Sequence, residues 1–81
     1  MSRARDVVEV VARALADHPE GVKVTETERH DQSLVELFMA PGELGRVIGR
    51  QGRTAAALRT LAASAGELDG RRVTLEFRDR E

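Results

Sequence analysis

Residues 47–53 read Val47-Ile48-Gly49-Arg50-Gln51-Gly52-Arg53, and an apolar pair runs into two glycines that bracket a basic residue and an amide. Glycine lacks a Cβ, so backbone with φ > 0 becomes accessible and another molecule's backbone can approach closely. The residues that follow are rich in alanine and read as a helix, which places the turn at a helix N-terminus. Unsatisfied N–H groups and the helix dipole favour an anion there. A phosphate is the natural occupant of such a turn.

Outward from the turn, the spacing predicts a helix over Arg53–Ala65, with six alanines, Leu58 and Leu61 inside it and Gly66 as its C-terminal cap. Leu58, Leu61, Ala62 and Ala65 would form its buried stripe. On the other side, Pro41 suits a first helical turn and Glu43 complements a helix N-terminus, so Pro41–Ile48 reads as a two-turn helix with Leu44, Val47 and Ile48 on one face. Ahead of it, Leu34-Val35-Glu36-Leu37-Phe38-Met39 is apolar at almost every position, the pattern of a strand covered on both faces or central in a sheet. A polar turn over Glu28–Gln32 separates it from a shorter strand of Val22, Val24, Thr25 and Thr27, and so short a connection favours an antiparallel hairpin.

The opening segment places Val7, Val8, Val11, Ala14 and Leu15 at helical spacing and stops near Asp17-His18-Pro19, because proline disfavours helical geometry in the residue before it. The last strand, Arg71–Phe77, alternates Val73, Leu75 and Phe77 with Arg72, Thr74 and Glu76. Two helices lie between the second and third strands, so a right-handed parallel crossover is expected. The order α-β-β-α-α-β gives an α+β domain: a three-stranded mixed sheet with helices packed on one face. At 81 residues the chain is expected to form a single domain over 1–81, with flexible ends at about 1–2 and 79–81.

Composition narrows the function. No cysteine occurs, which removes disulfide and thiolate chemistry. With neither an apolar leader nor a membrane-length apolar run, the chain reads as soluble and cytoplasmic, without membrane association. Phe38 and Phe77 are the only aromatic residues, so a broad base-stacking platform is nearly excluded. The net charge of −1 is unevenly spread: residues 44–66 carry Arg46, Arg50, Arg53 and Arg59 and no acid, against nine basic and fourteen acidic residues elsewhere. Positive charge therefore surrounds the glycines.

Two phosphate-binding loops fail by counting. A Walker A loop ending on Gly52 requires glycine at 47 and lysine at 53, where the chain has Val47 and Arg53, and the dinucleotide pattern also requires glycine at 47. His18 and His30 each lie in a polar turn without metal-ligand spacing, and no serine stands in a nucleophile elbow. No enzyme, metal or cofactor is indicated.

The stretch Val47-Ile48-Gly49-Arg50-Gln51-Gly52-Arg53 resembles the I-G-x-x-G signature of the KH domain, and the element order resembles its type II, prokaryotic form. With the Asp17-His18-Pro19-Glu20 stop, the Ala40-Pro41 entry and the Arg53–Leu61 helix, the chain is similar along nearly its whole length to the small bacterial single-KH proteins of the KhpA type. That resemblance implies a non-catalytic single-stranded RNA-binding protein, an RNA chaperone or post-transcriptional regulator whose turn clamps the backbone of about four nucleotides. By position, Gly49 and Gly52 would allow the approach, Arg50 and Gln51 would form the tip, and Arg53 and Arg46 would flank the phosphates. Ile48 would line an apolar groove for the bases. The resemblance further implies a homodimer, a heterodimer with a KhpB (Jag/EloR-type) protein, or both. A protein-interaction adaptor on the same scaffold, working through that dimer face, is the alternative reading.

Overall fold

The computed structural model describes residues 2–79 and has eight short elements in the expected order. Helix α1 spans Arg3–Leu15; its first amides are satisfied by Ser2, whose hydroxyl accepts from the Arg5 N–H at 3.1 Å. Its inner face buries Ala4, Val8 and Ala12, and its outer face carries an ion-pair ladder from Arg5 through Glu9 to Arg13. The Arg5 hydrogen bond holds the Glu9 carboxyl below the usual carboxylate range. A 3₁₀ turn at Pro19–Gly21 then leads into β1, Lys23–Arg29.

Strand β2, Gln32–Met39, pairs antiparallel with β1 and parallel with β3, Arg72–Asp79, so the sheet order is β1-β2-β3 with β2 at the centre. The mixed three-stranded sheet is as expected. The hairpin is tighter than the polar run suggested: Arg29 pairs with Gln32, leaving only His30 and Asp31 in the turn. Ladder hydrogen bonds come from the backbone, so pairing continues through polar residues once the apolar register is set. On the face toward the helices, β2 buries Ser33, Val35, Leu37 and Met39, whereas Leu34, Glu36 and Phe38 point to an open face and are only half-buried. The nearly continuous apolar run thus marks the central strand.

Helix α2 is Leu44–Ile48, shorter than the expected Pro41–Ile48. Gly42 takes φ 83°, outside the helical region, and the Glu43 N–H closes a turn onto the Ala40 carbonyl at 3.1 Å. Pro41 therefore begins a turn. Helix α3, Arg53–Leu68, runs past the expected stop. Gly66 is buried inside it, and the terminator is Gly70 at φ 71°, with Gly70 N–H bonded to Glu67 O at 3.0 Å and Arg71 N–H to Gly66 O at 2.9 Å. These are the paired bonds of a Schellman ending.

The buried stripe of α3 is Ala55, Leu58, Ala62, Ala65 and Gly66, and Leu61, expected in it, is half exposed at 51%. The reason is local: a Cβ on Gly66 would stand against the Val73 side chain and 3.0 Å from the Arg71 carbonyl. The helix packs on β3 through a residue with no side chain, which turns the Leu61 side outward. One core joins the layers, built from Val8, Ala12, Val24, Val35, Leu37, Met39, Val47, Leu58, Ala62 and Leu75 among others. At the far corner, Arg3 ties the start of α1 to Asp69 beyond α3 by backbone and side chain, and those bonds hold the Asp69 carboxyl below its usual range. The expected flexible ends lie outside the described residues at 1 and at 80–81; Ser2 caps α1 and Asp79 closes β3.

Candidate nucleic-acid interface

The Gly49–Gly52 turn joins α2 to α3. Its amide at Gly49 closes α2 by donating to the Gly45 carbonyl at 2.9 Å, after which Gly49 adopts φ 72°, ψ 177°. That combination is essentially open only to glycine. Arg50–Gly52 then form a kinked 3₁₀ turn in which Gln51 and Gly52 are both left-handed, at φ 57° and φ 71°. Two left-handed residues in succession turn the chain sharply into α3, and no side chain caps the first amides of that helix.

The two glycines have different jobs. A Cβ on Gly49 would collide with the Thr54 side chain, so this glycine is demanded by the turn itself. A Cβ on Gly52 would meet nothing within 4 Å, so there the absent side chain leaves the surface open to a visitor. The tip is presented outward: Arg50, Gln51 and Arg53 are exposed, and the guanidinium groups of Arg50 and Arg53 have no partner among the described residues. Ile48 is half-buried and stands outside the core cluster.

Arg46 is placed differently. Its guanidinium is bound to Asp17 at 2.6 Å, on the connection after α1. The same connection is gripped by Glu43, whose Oε1 accepts from the Asp17 and His18 amides, the latter at 3.0 Å. Glu43 is 94% buried and its Oε2 has no hydrogen-bond partner among the described residues. The sequence suggested a carboxylate complementing the N-terminus of its own helix; instead Glu43 makes no capping bond there and staples α2 to a segment far upstream. No local pattern could reveal that, because its partners are backbone amides. Arg59, noted only as part of the basic run, lies over the Phe77 ring at 4.8 Å and directs its Nε toward the Leu75 carbonyl at 3.5 Å.

The architecture is a type II KH domain with its Gly-x-x-Gly turn intact. A solved structure of Aquifex aeolicus Era bound to GDP and AlF4⁻ shares the fold, with a TM-score of 0.63 over 94% of this chain at 20% identity, the matching region being 29% of that longer chain. In sequence, the family described as KhpA/KhpB, KH domain matches residues 5–77. An RNA-binding protein KhpA from Aquifex aeolicus is 47% identical over 95% of this chain and 98% of its own length. Those from Caldanaerobacter subterraneus and Halalkalibacterium halodurans are 42% and 43% identical over 89% and 93% of this chain. The chain belongs to the KhpA/KhpB KH-domain family, a non-catalytic one.

Among the described residues no helix is long and apolar enough to cross a membrane.

Proposed function

We propose that this chain is a cytoplasmic single-stranded RNA-binding protein whose turn at Gly49–Gly52 clamps the sugar-phosphate backbone, as an RNA chaperone or post-transcriptional regulator. The observation that carries it is the combination at the start of α3: uncapped amides, an open Cα surface at Gly52, and two arginines, Arg50 and Arg53, with no partner among the described residues. A phosphate seated there would accept from the amides and be flanked by both charges, while Ile48 offers apolar surface to the adjoining base or ribose. Arg46 contributes only by exchanging its Asp17 carboxylate for a phosphate. Because little aromatic surface is present, grip on the backbone dominates and sequence preference is loose. The names of the relatives, all RNA-binding proteins, support the reading.

Replacing both tip residues, Arg50→Asp with Gln51→Asp, is expected to abolish binding of short single-stranded RNA while leaving the thermal melt close to the parent's. Parent binding should weaken with salt by roughly 0.7 log units per phosphate contact per decade. If the folded double variant binds like the parent, the clamp is not where RNA is held.

A second reading, assembly with another KH protein, is favoured by apolar side chains left in solvent on the packed pair of helices: Val10 is 68%, Leu61 51% and Leu68 73% exposed. A second copy of this chain or a KhpB (Jag/EloR-type) protein would cover them, and the family's joint description fits either. Light scattering on the parent and on Leu61→Asp is expected to show a dimer and a monomer respectively. A monomeric parent that also captures no KhpB-type partner would remove this reading.

A further inference from the structure

We propose a second RNA contact on the open face of the sheet, at the hairpin end, holding phosphates of a strand that extends beyond the clamp. The proposal rests on the RNA-binding reading but uses none of the clamp residues. The face carries a concavity of about 560 Å³ whose walls include Thr27, Arg29, Gln32, Leu34, Arg72 and Thr74. The strand register explains how they meet: Arg29, Gln32 and Arg72 stand side by side across β1, β2 and β3, and Thr27, Leu34 and Thr74 form the next row on the same face. The half-buried Leu34 is an apolar floor, two hydroxyls flank it, and two guanidinium groups stand at the rim. That is the chemistry of a nucleotide site, with ribose or base below and phosphate above.

Charge pairing singles these arginines out. Arg3, Arg5, Arg13, Arg46, Arg71 and Arg78 each meet a carboxylate. Arg29 and Arg72 meet none among the described residues; Arg59 meets none either but lies over the Phe77 ring, so outside the Gly49–Gly52 turn and its flanking Arg53 only Arg29 and Arg72 there have neither a carboxylate nor a ring beside them. Both are exposed and both border one residue, Gln32, so two like charges face one hollow with no acid in its walls. Standing two strands apart, on the order of 10 Å, the two charges face each other across the hollow, and an anion between them would meet both. The site is also bounded: one row further, Glu36 and Glu76 stand opposite each other and share Arg78 at 3.1 and 3.6 Å, so the positive surface ends there.

A route joins the two contacts. Helix α3 starts at the clamp and ends beside the start of β3, a length on the order of 24 Å at 1.5 Å per residue. Arg59 lies partway, over Phe77, and Arg72 stands at the far end. A strand leaving the clamp along the α3–β3 edge therefore passes one cation and arrives at a pair. The roughly four nucleotides a KH clamp holds are gripped around the turn itself, so the strand must continue past them to arrive at the pair.

The test compares the parent with Arg29→Gln/Arg72→Gln, using a tetranucleotide and a dodecanucleotide of single-stranded RNA over a salt series. The tetranucleotide should bind both proteins equally. The dodecanucleotide should bind the double variant about tenfold more weakly, with a salt slope shallower by about 1.4, two contacts at roughly 0.7 each. Amide resonances of Thr27, Leu34 and Thr74 in the parent should shift with the dodecanucleotide and stay put with the tetranucleotide. Equal dodecanucleotide affinity in parent and variant overturns the proposal, as does an equal loss for both lengths, which would signal only a change in overall charge. Failure of the clamp reads out separately, as tetranucleotide binding that survives Arg50→Asp/Gln51→Asp.

Discussion

Gly49→Ala is expected to lower the stability of the domain by about 3 kcal/mol and to remove RNA binding even from the fraction that remains folded. Two costs add. At φ 72°, ψ 177° a Cβ is forced into a backbone region that essentially only glycine occupies, at about 1–3 kcal/mol. The same Cβ runs into Thr54, a β-branched residue of the first turn of α3 with few alternative rotamers. Relief requires the turn to rotate, which moves Arg50 and Gln51 off their present directions. Gly52→Asn is the informative partner: φ 71°, ψ 14° is the left-handed region that asparagine tolerates, and the new Cβ would touch nothing. Its melting temperature should stay near the parent's while its RNA affinity falls, because the side chain fills the place proposed for the ligand's backbone. A melt of Gly49→Ala that overlays the parent's would show that the turn is not built as described.

Leu37→Ala is the second large effect, at about 2–5 kcal/mol. Leu37 is fully buried on the central strand, with Val24 opposite it on one side and Phe77 on the other. Its cross-strand neighbours are held by the ladders and the helical side chains over it relax only partly, so a cavity remains. For 81 residues the whole stability is on the order of 4–12 kcal/mol, so this single truncation takes a large part of it. Urea melts should show a strongly lowered midpoint. Leu68→Ala is the control: at 73% exposure it should change the midpoint little, within about 0.5 kcal/mol.

What the sequence discloses and what it conceals divide along a physical line. The alternation of Val73, Leu75 and Phe77, the apolar run of β2 and the Ile48-Gly49-Arg50-Gln51-Gly52 turn are legible because each depends on nearest neighbours and on a single periodicity. The true inner stripe of α3 is not. Leucine is more apolar than glycine, so Leu61 reads as core and Gly66 as a cap, yet Val73 presses so closely on the helix that only glycine fits beneath it. Pro41 fails similarly, since the φ of Gly42 decides whether a helix starts there. In the site, Arg50 and Arg53 read correctly as exposed charge near the glycines. That Arg46 is already held by Asp17, and that Glu43 reaches the Asp17 and His18 amides, depends on how α1 and α2 meet, which no local pattern encodes.

The parallel pairing of β2 with β3 has a consequence for when the protein can work. Everything between Met39 and Arg72, the Gly49–Gly52 turn included, is a long loop whose two ends that ladder brings together. Closing a long loop costs entropy before the ladder and the α3–β3 packing repay it, so this step is expected to set the folding rate. During synthesis, α1 and the β1–β2 hairpin emerge first, but α1 packs chiefly on α3 and waits for the loop to close. On the proposed function, the ribosome delivers a mute half-domain, and recognition is expected to switch on as a unit only after β3 has cleared the exit tunnel and docked beside β2.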